Sequence, residues 1–195
     1  MKSALRVILL LSACLGLASL ASADGIDTSA TLASANTTEY SDGQNPAPSM
    51  SQSMPTADRV IVRKGEHRLL LMRGDSILRT YKVALGLNPV GHKERAGDFR
   101  TPEGRYRLTR RNPRSDFFLS IQVSYPNDDD VRKARRNGWE TGGSIMIHGL
   151  PNQLKHTPTY YENRDWTDGC IAVSNADMLE IWLLTADNAP IDILP

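Results

Sequence analysis

The sequence predicts a mostly β domain with two short helices. Three observations predict it. Apolar residues alternate in short runs from residue 59 onward, which is the period of half-buried strands. Turn residues separate those runs at short intervals. Only two stretches carry a helical period with a start signal. Arg59–Arg63 alternates around Val60 and Val62, and Glu66–Arg73 carries the run Leu69-Leu70-Leu71-Met72 before the turn Gly74-Asp75. Ser76–Leu85 follows, with Tyr81, Val83 and Leu85 in step. Gly104–Arg110, Phe117–Tyr125 and Ser144–Ile147 are further strands, and Ile191–Leu194 closes the set. One helix is expected over Asp128–Arg136. The other follows Ser174, where Ser174 to Asp177 resembles a capping box ahead of Met178, Ile181, Trp182 and Leu183. Two long loops remain, Gly86–Gly104 and Leu150–Thr167. Long loops in a compact β domain usually carry function.

Residues 1–23 have the pattern of an export signal. Lys2 and Arg6 form a basic start, Val7–Leu20 is apolar and small, and Ala21-Ser22-Ala23 is an A-x-A cleavage site. The competing reading is a lipid anchor on Cys14, from Leu11-Ser12-Ala13-Cys14, with a very short apolar core before the cysteine. Residues 24–58 are rich in Ser, Thr, Ala, Asn and Pro and carry no Lys or Arg. Such a segment cannot bury enough surface to offset its chain entropy, so a disordered tether is expected. The domain then spans 59–195.

Charge narrows the classes of function. After residue 58 there are 21 basic and 17 acidic residues, about +4. That mild excess suits an enzyme on an anionic polymer better than a nucleic-acid binder, which concentrates its basic face. The run Asp128–Arg136 looks basic, but Asp128 with Arg132 and Asp129 with Lys133 are i,i+4 pairs on a solvated helix face.

Cysteine usage points to chemistry. The chain has two cysteines, Cys14 and Cys170. Cleavage after Ala23 leaves Cys170 alone, with no internal disulfide available. It stands at one rim of the second long loop, in "DWTDGCIAVSN". At the other rim is His148, at the end of the apolar run "IMIHGL". A thiol of ordinary pKa ~8.5 is mostly protonated at neutral pH and gains nucleophilicity from an adjacent imidazole. The imidazole needs a partner to fix its tautomer, and the Gly149 carbonyl can serve. Gly169 leaves room for a substrate carbonyl, and the N–H groups around Gly169 and Cys170 are candidates for an oxyanion hole. Against this stand a buried structural cysteine and a structural histidine. A zinc site from His148, His156 and Cys170 has no familiar spacing, so no metal or cofactor is expected.

At these residues the sequence resembles a known family. "IMIHG" followed by "DWTDGCIAVSN" is similar to the L,D-transpeptidase catalytic domain, the YkuD domain. "GLNPVGHKERAGDFRTPEGRYRL" resembles that family's G-x-N-P-x-G…G-D-x-x-T-P-x-G segment. The resemblance covers Arg59 to Pro195. It implies a β-sandwich-like fold, Cys170 as nucleophile in a groove, and His148 as proton carrier oriented by the Gly149 carbonyl. It implies peptidoglycan stem peptides as substrate, in the periplasm or cell envelope. The acyl group would pass from Cys170 to a second stem peptide or to the lysine of an anchored wall protein. A hydrolase on the same scaffold, or a wall-binding module without catalysis, are the alternatives. A monomer is expected.

The sequence also departs from the pattern. Asp168 stands where the common motif has a second histidine, and Ala172 where it has an arginine, as in related "TDGC" members. Asp168 either braces the cysteine loop or receives a substrate ammonium. Trp166, Tyr160 and Tyr161 either line the groove or pack the loop.

Overall fold

The computed structural model describes residues 55–195. The expected export signal, the Cys14 anchor and the tether up to residue 54 lie outside the described residues. Eight strands are present: β1 (Arg59–Arg63), β2 (Arg68–Arg73), β3 (Ser76–Lys82), β4 (Gly104–Ser115), β5 (Phe118–Val123), β6 (Met146–His148), β7 (Ile171–Ala172) and β8 (Pro190–Leu194). Their order is β3-β2-β1-β8-β4-β5-β6-β7. The β1–β8 and β6–β7 pairs are parallel and the others antiparallel.

β4 joins two halves of this sheet. Its first residues, Gly104–Arg107, pair with β8, and Leu108–Ser115 pair with β5. The register shifts between Leu108 and Arg111, which lets the strand bend from one half into the other. Beyond β3 the chain turns back on the far edge. Ala84 and Ala172 exchange both backbone hydrogen bonds, each 2.8 Å, so the order nearly closes on itself. Inward residues of both halves form one core: Val60, Val62, Leu69, Leu71, Tyr106 and Ile191 with Leu108, Ile121, Val123, Ile147 and Ile171. The alternation read from the sequence is the physical cause, because successive side chains point to opposite faces.

Three α-helices are present among the described residues. α1 (Asp128–Arg136) starts at a capping box between Asn127 and Asp130. Its surface ion pair joins Asp129 to Arg132, i,i+3, rather than the i,i+4 pairs expected. α2 (Pro158–Glu162) is a single short turn of helix inside the expected loop, begun by its proline. α3 (Asn175–Leu184) is capped by Ser174 Oγ, which accepts from Asp177 N at 3.1 Å, and it buries Met178, Ile181 and Leu184.

Two strands differ from expectation. β4 runs on through Arg111 because that guanidinium has buried work to do. It donates to the Trp182 and Thr185 carbonyls at the end of α3, 2.6 Å each, and to Asp187. Those carbonyls lack helical partners, so a cation there is favourable. β7 has only two residues, too few to show a period. Ala57 and Asp58, the last residues of the expected tether, join the domain: Ala57 is buried and donates to the Leu184 carbonyl at 2.6 Å, and Asp58 accepts from Gly74 N.

The first long loop is held down by buried charge. Lys64 is 3% exposed, and its ammonium donates to the Gly91 and Thr101 carbonyls and to Glu103 Oε1 at 2.8 Å. Burial pulls its pKa below the usual lysine value, and Glu103 opposes that. Further along, Lys93 pairs with Asp98 at 2.7 Å, and Asp98 also accepts from the Glu94, Arg95 and Arg100 amides. His92 accepts from Glu103 N through Nδ1, so Nε2 carries the proton it shares with Asp130.

Removing the Lys64 ammonium leaves a carboxylate and two carbonyls without their partner. Lys64→Met is expected to lower folding stability by about 3 kcal/mol, read from urea unfolding. The double variant Lys64→Met/Glu103→Leu should recover part of that loss, because the stranded charge is gone.

Candidate active site

The turn that presents the cysteine is built by Thr167. Its hydroxyl donates to the Cys170 carbonyl at 2.8 Å and accepts from Gly169 N at 3.1 Å. Thr167 is buried and its backbone pairs with the first long loop: Thr167 N donates to Leu85 O, and Leu87 N donates to Thr167 O. Gly169 has φ +130°, a conformation that side chains rarely adopt. A Cβ there would lie 2.5 Å from the Arg100 carbonyl oxygen. This corrects the expectation for Gly169. The space beside it is filled by the protein's own carbonyl, and its N–H is taken by Thr167, so it offers neither substrate room nor a free oxyanion donor.

His148 ends β6, next to β7 in parallel register, with Ile147 opposite Ile171 and His148 opposite Ala172. The cysteine just before β7 and the histidine at the end of β6 thereby reach one groove. His148 Nδ1 lies 2.7 Å from the Gly149 carbonyl, which only a protonated Nδ1 can satisfy. That leaves Nε2 as the proton acceptor. The ring is packed by Phe117, with centroids 4.5 Å apart, and by Trp166 at 5.6 Å. Gly149 is required by close approach: a Cβ there would meet Asn175 Oδ1 at 2.5 Å. Asn175 itself accepts from Leu150 N, tying α3 to the histidine strand.

Phe117, Ser144, Ile145, Met146, His148, Trp166, Asp168 and Cys170 line a groove of about 500 Å³. Burial disfavours the charged form of both His148 and Cys170. His148 is 3% exposed, and burial lowers its pKa to about 4 although the Gly149 hydrogen bond opposes this. Burial likewise pushes the Cys170 thiol up; the Asp168 charge adds to the push, while Lys93 and a backbone hydrogen bond with Met146 oppose it. The thiol donates to the Ser144 carbonyl at 3.5 Å. Among the described residues no group of His, Cys, Asp and Glu is placed to hold a metal ion.

The sequence model of the YkuD L,D-transpeptidase catalytic domain matches residues 57–193. The chain belongs to the YkuD family. A curated relative is the "Putative L,D-transpeptidase YafK" of Escherichia coli K12, 37% identical over 75 residues, which is 37% of this chain and 28% of that protein. The helical cell shape determining protein Pgp2 of Campylobacter jejuni superposes with a TM-score of 0.53 at 25% identity, over 69% of this chain and 46% of that one. The chain thus spans less than half the length of either relative.

The YkuD groove gathers Cys170, His148, Gly149, Asp168 and Trp166 of the expected residues. Tyr161 is elsewhere: it is buried behind Trp166, 5.0 Å between ring centroids, and its hydroxyl accepts from Lys155 N. With Trp166 it lines a second cavity of about 250 Å³, whose other walls include Lys82, Leu150, Glu162, Val173 and Asp177. Tyr160 stacks on His156 at 4.2 Å, packing the loop. Thr167, Ser144 and Phe117 were not singled out from the sequence, and Asn175 entered only as the residue that closes the motif "DWTDGCIAVSN". Thr167 carried a signal, since a threonine three residues before the cysteine of a tight Gly-Cys turn is a common turn brace. Phe117 and Ser144 carried none.

Gly149→Ala should push Asn175 and the Phe117 backbone away from His148. Turnover is expected to fall at least tenfold while Cys170 remains present, read by steady-state kinetics against far-ultraviolet circular dichroism. The low His148 pKa also fixes a pH dependence. The unfolded chain binds the histidine proton below pH ~6.5, and the folded domain does so only near 4. Stability therefore falls as pH drops through that window, by about 3 kcal/mol from this group. Urea unfolding at pH 7 and pH 4 should show a smaller difference for His148→Gln than for wild type.

Proposed function

We propose that this domain is an exported cell-wall enzyme that transfers acyl groups through Cys170 on peptidoglycan stem peptides. The observation that carries the reading is the shared groove of Cys170 and His148, with His148 Nδ1 committed to Gly149 and Nε2 left to take a proton. The thiol proton passes to Nε2 as sulfur attacks the carbonyl between diaminopimelate and the terminal D-Ala. The C–N bond breaks, His148 returns the proton to the leaving amine, and a thioester remains on Cys170. A neutral imidazole at neutral pH is the form this step needs. The second cavity on the other side of Trp166 supports a place for an amine acceptor, and so an L,D-transpeptidase. The acceptor is a second stem peptide, giving a 3→3 cross-link, or an anchored wall protein. In this reading residues 1–23 are a cleaved signal, the following segment is a tether, and the monomeric enzyme works in the periplasm or cell envelope.

Incubation of the protein with tetrapeptide muropeptides, followed by mass spectrometry, tests this. Loss of the terminal D-Ala together with 3→3 linked dimers is expected, and Cys170→Ala should form no product above a few per cent of wild type. Tripeptide without dimers would make water the acceptor and the enzyme a hydrolase. Undiminished product with Cys170→Ala would refute the nucleophile.

A further inference from the structure

Asp168 is the one carboxylate among the residues lining the catalytic groove, and it is exposed there. It accepts no hydrogen bond and forms no ion pair among the described residues. The two interactions that hold the cysteine turn are made by Thr167, so Asp168 has no bracing work. The groove lining offers it no counter-charge. The groove is walled by Phe117, Ile145, Met146 and Trp166, with no lysine or arginine. The nearby Lys93 is buried and already paired with Asp98 at 2.7 Å. His148 is neutral, with Nδ1 engaged by Gly149. A carboxylate left unpaired two residues from the thiol hinders thiolate formation, and Lys93 and the Met146 backbone, which oppose that push, form no pair with Asp168 itself.

We propose that Asp168 is the groove's receptor for a substrate ammonium, and that the bound cation readies Cys170 for attack. The ligand is a peptide carrying a primary ammonium on the residue whose carbonyl is attacked, with aliphatic parts against the apolar walls. When the ammonium pairs with Asp168, the carboxylate no longer opposes a negative sulfur. Specificity and activation therefore come from the same contact, and a substrate without the cation meets a sluggish thiol. The peptide identity rests on the function proposed above, whereas the cation preference of the groove does not.

Two measurements separate these parts. In the first, Cys170 of the full chain is labelled with three methanethiosulfonates, bearing an aminoethyl cation, a sulfonatoethyl anion or a neutral methyl group. Modification is followed at the Cys170 peptide by mass spectrometry. The cation should react faster than the anion in wild type, relative to a small free thiol. Asp168→Asn should erase roughly fivefold of that preference or more, and Asp168→Glu should keep most of it. Asp168→Asn should also react faster than wild type with the neutral reagent, because the repulsion is gone. An unchanged cation-to-anion ratio in Asp168→Asn overturns the proposal. In the second, single-turnover acylation of Cys170 is compared for a tetrapeptide with a free side-chain ammonium on its third residue and for the same peptide acetylated there. Wild type should prefer the free ammonium by about tenfold, and Asp168→Asn should lose the preference by slowing on that peptide alone. Equal rates in wild type overturn the proposal. Acylation by neither peptide refutes the proposed function, and the reagent series then decides the subsite by itself.

Discussion

The pair of hydrogen bonds between Ala84 and Ala172 is the constraint on which the site depends. Each residue gives and accepts one bond at 2.8 Å, joining the extension of β3 to the far-edge strand β7. Without it the chain would leave β3 at one edge of an open sheet, and Cys170 would sit at the other. With it, the loop that follows Ala84 is laid directly against the cysteine turn. Thr167 then pairs with Leu85 and Leu87, and the Arg100 carbonyl fills the space beside Gly169. The Cys170 turn is held by Leu85, Leu87 and Arg100 from far earlier in the chain, and Lys64, Lys93 and His92 hold that segment in turn.

Burial sets the chemistry more than any charge pair does. Desolvation disfavours the imidazolium and the thiolate alike, so the resting partners are a thiol and a neutral imidazole rather than an ion pair. The histidine is kept in that state by the aromatic packing of Phe117 and Trp166. The same rings wall the groove, so the apolar surface of the groove is also the cause of the histidine's low pKa.

The sequence showed the candidate residues Cys170 and His148, which the structure brings to one groove, more clearly than the residues that support them. Cys170 and His148 were legible because reactive residue types stood at the rims of one long loop. The strands were legible where alternation ran over several residues, as in β1. β7 was not, since two residues show no period and its pairing is with distant strands. α2 was hidden by a loop composition with a proline that in fact starts the helix. The extension of β4 was masked by Arg110, Arg111 and Arg114, which read as an exposed end, although Arg111 is spent on the carbonyls closing α3. Gly169 was misread because sequence reveals that a glycine makes room but not what enters it. Here the occupant is Arg100 O, from the other half of the domain.

The position of β8 has a consequence for assembly. It lies at the centre of the sheet, parallel to β1 and antiparallel to β4, yet it follows every other described strand in sequence. Until it docks, β1 and β4 have no common neighbour, and their Val60, Val62 and Tyr106 side chains lack the Ile191 and Ile193 that complete the core. Such non-local pairing slows folding, because loop-closure entropy must be met before the contacts return it. A nascent chain of this domain would therefore expose two unpaired inner strand edges until synthesis passes Leu194.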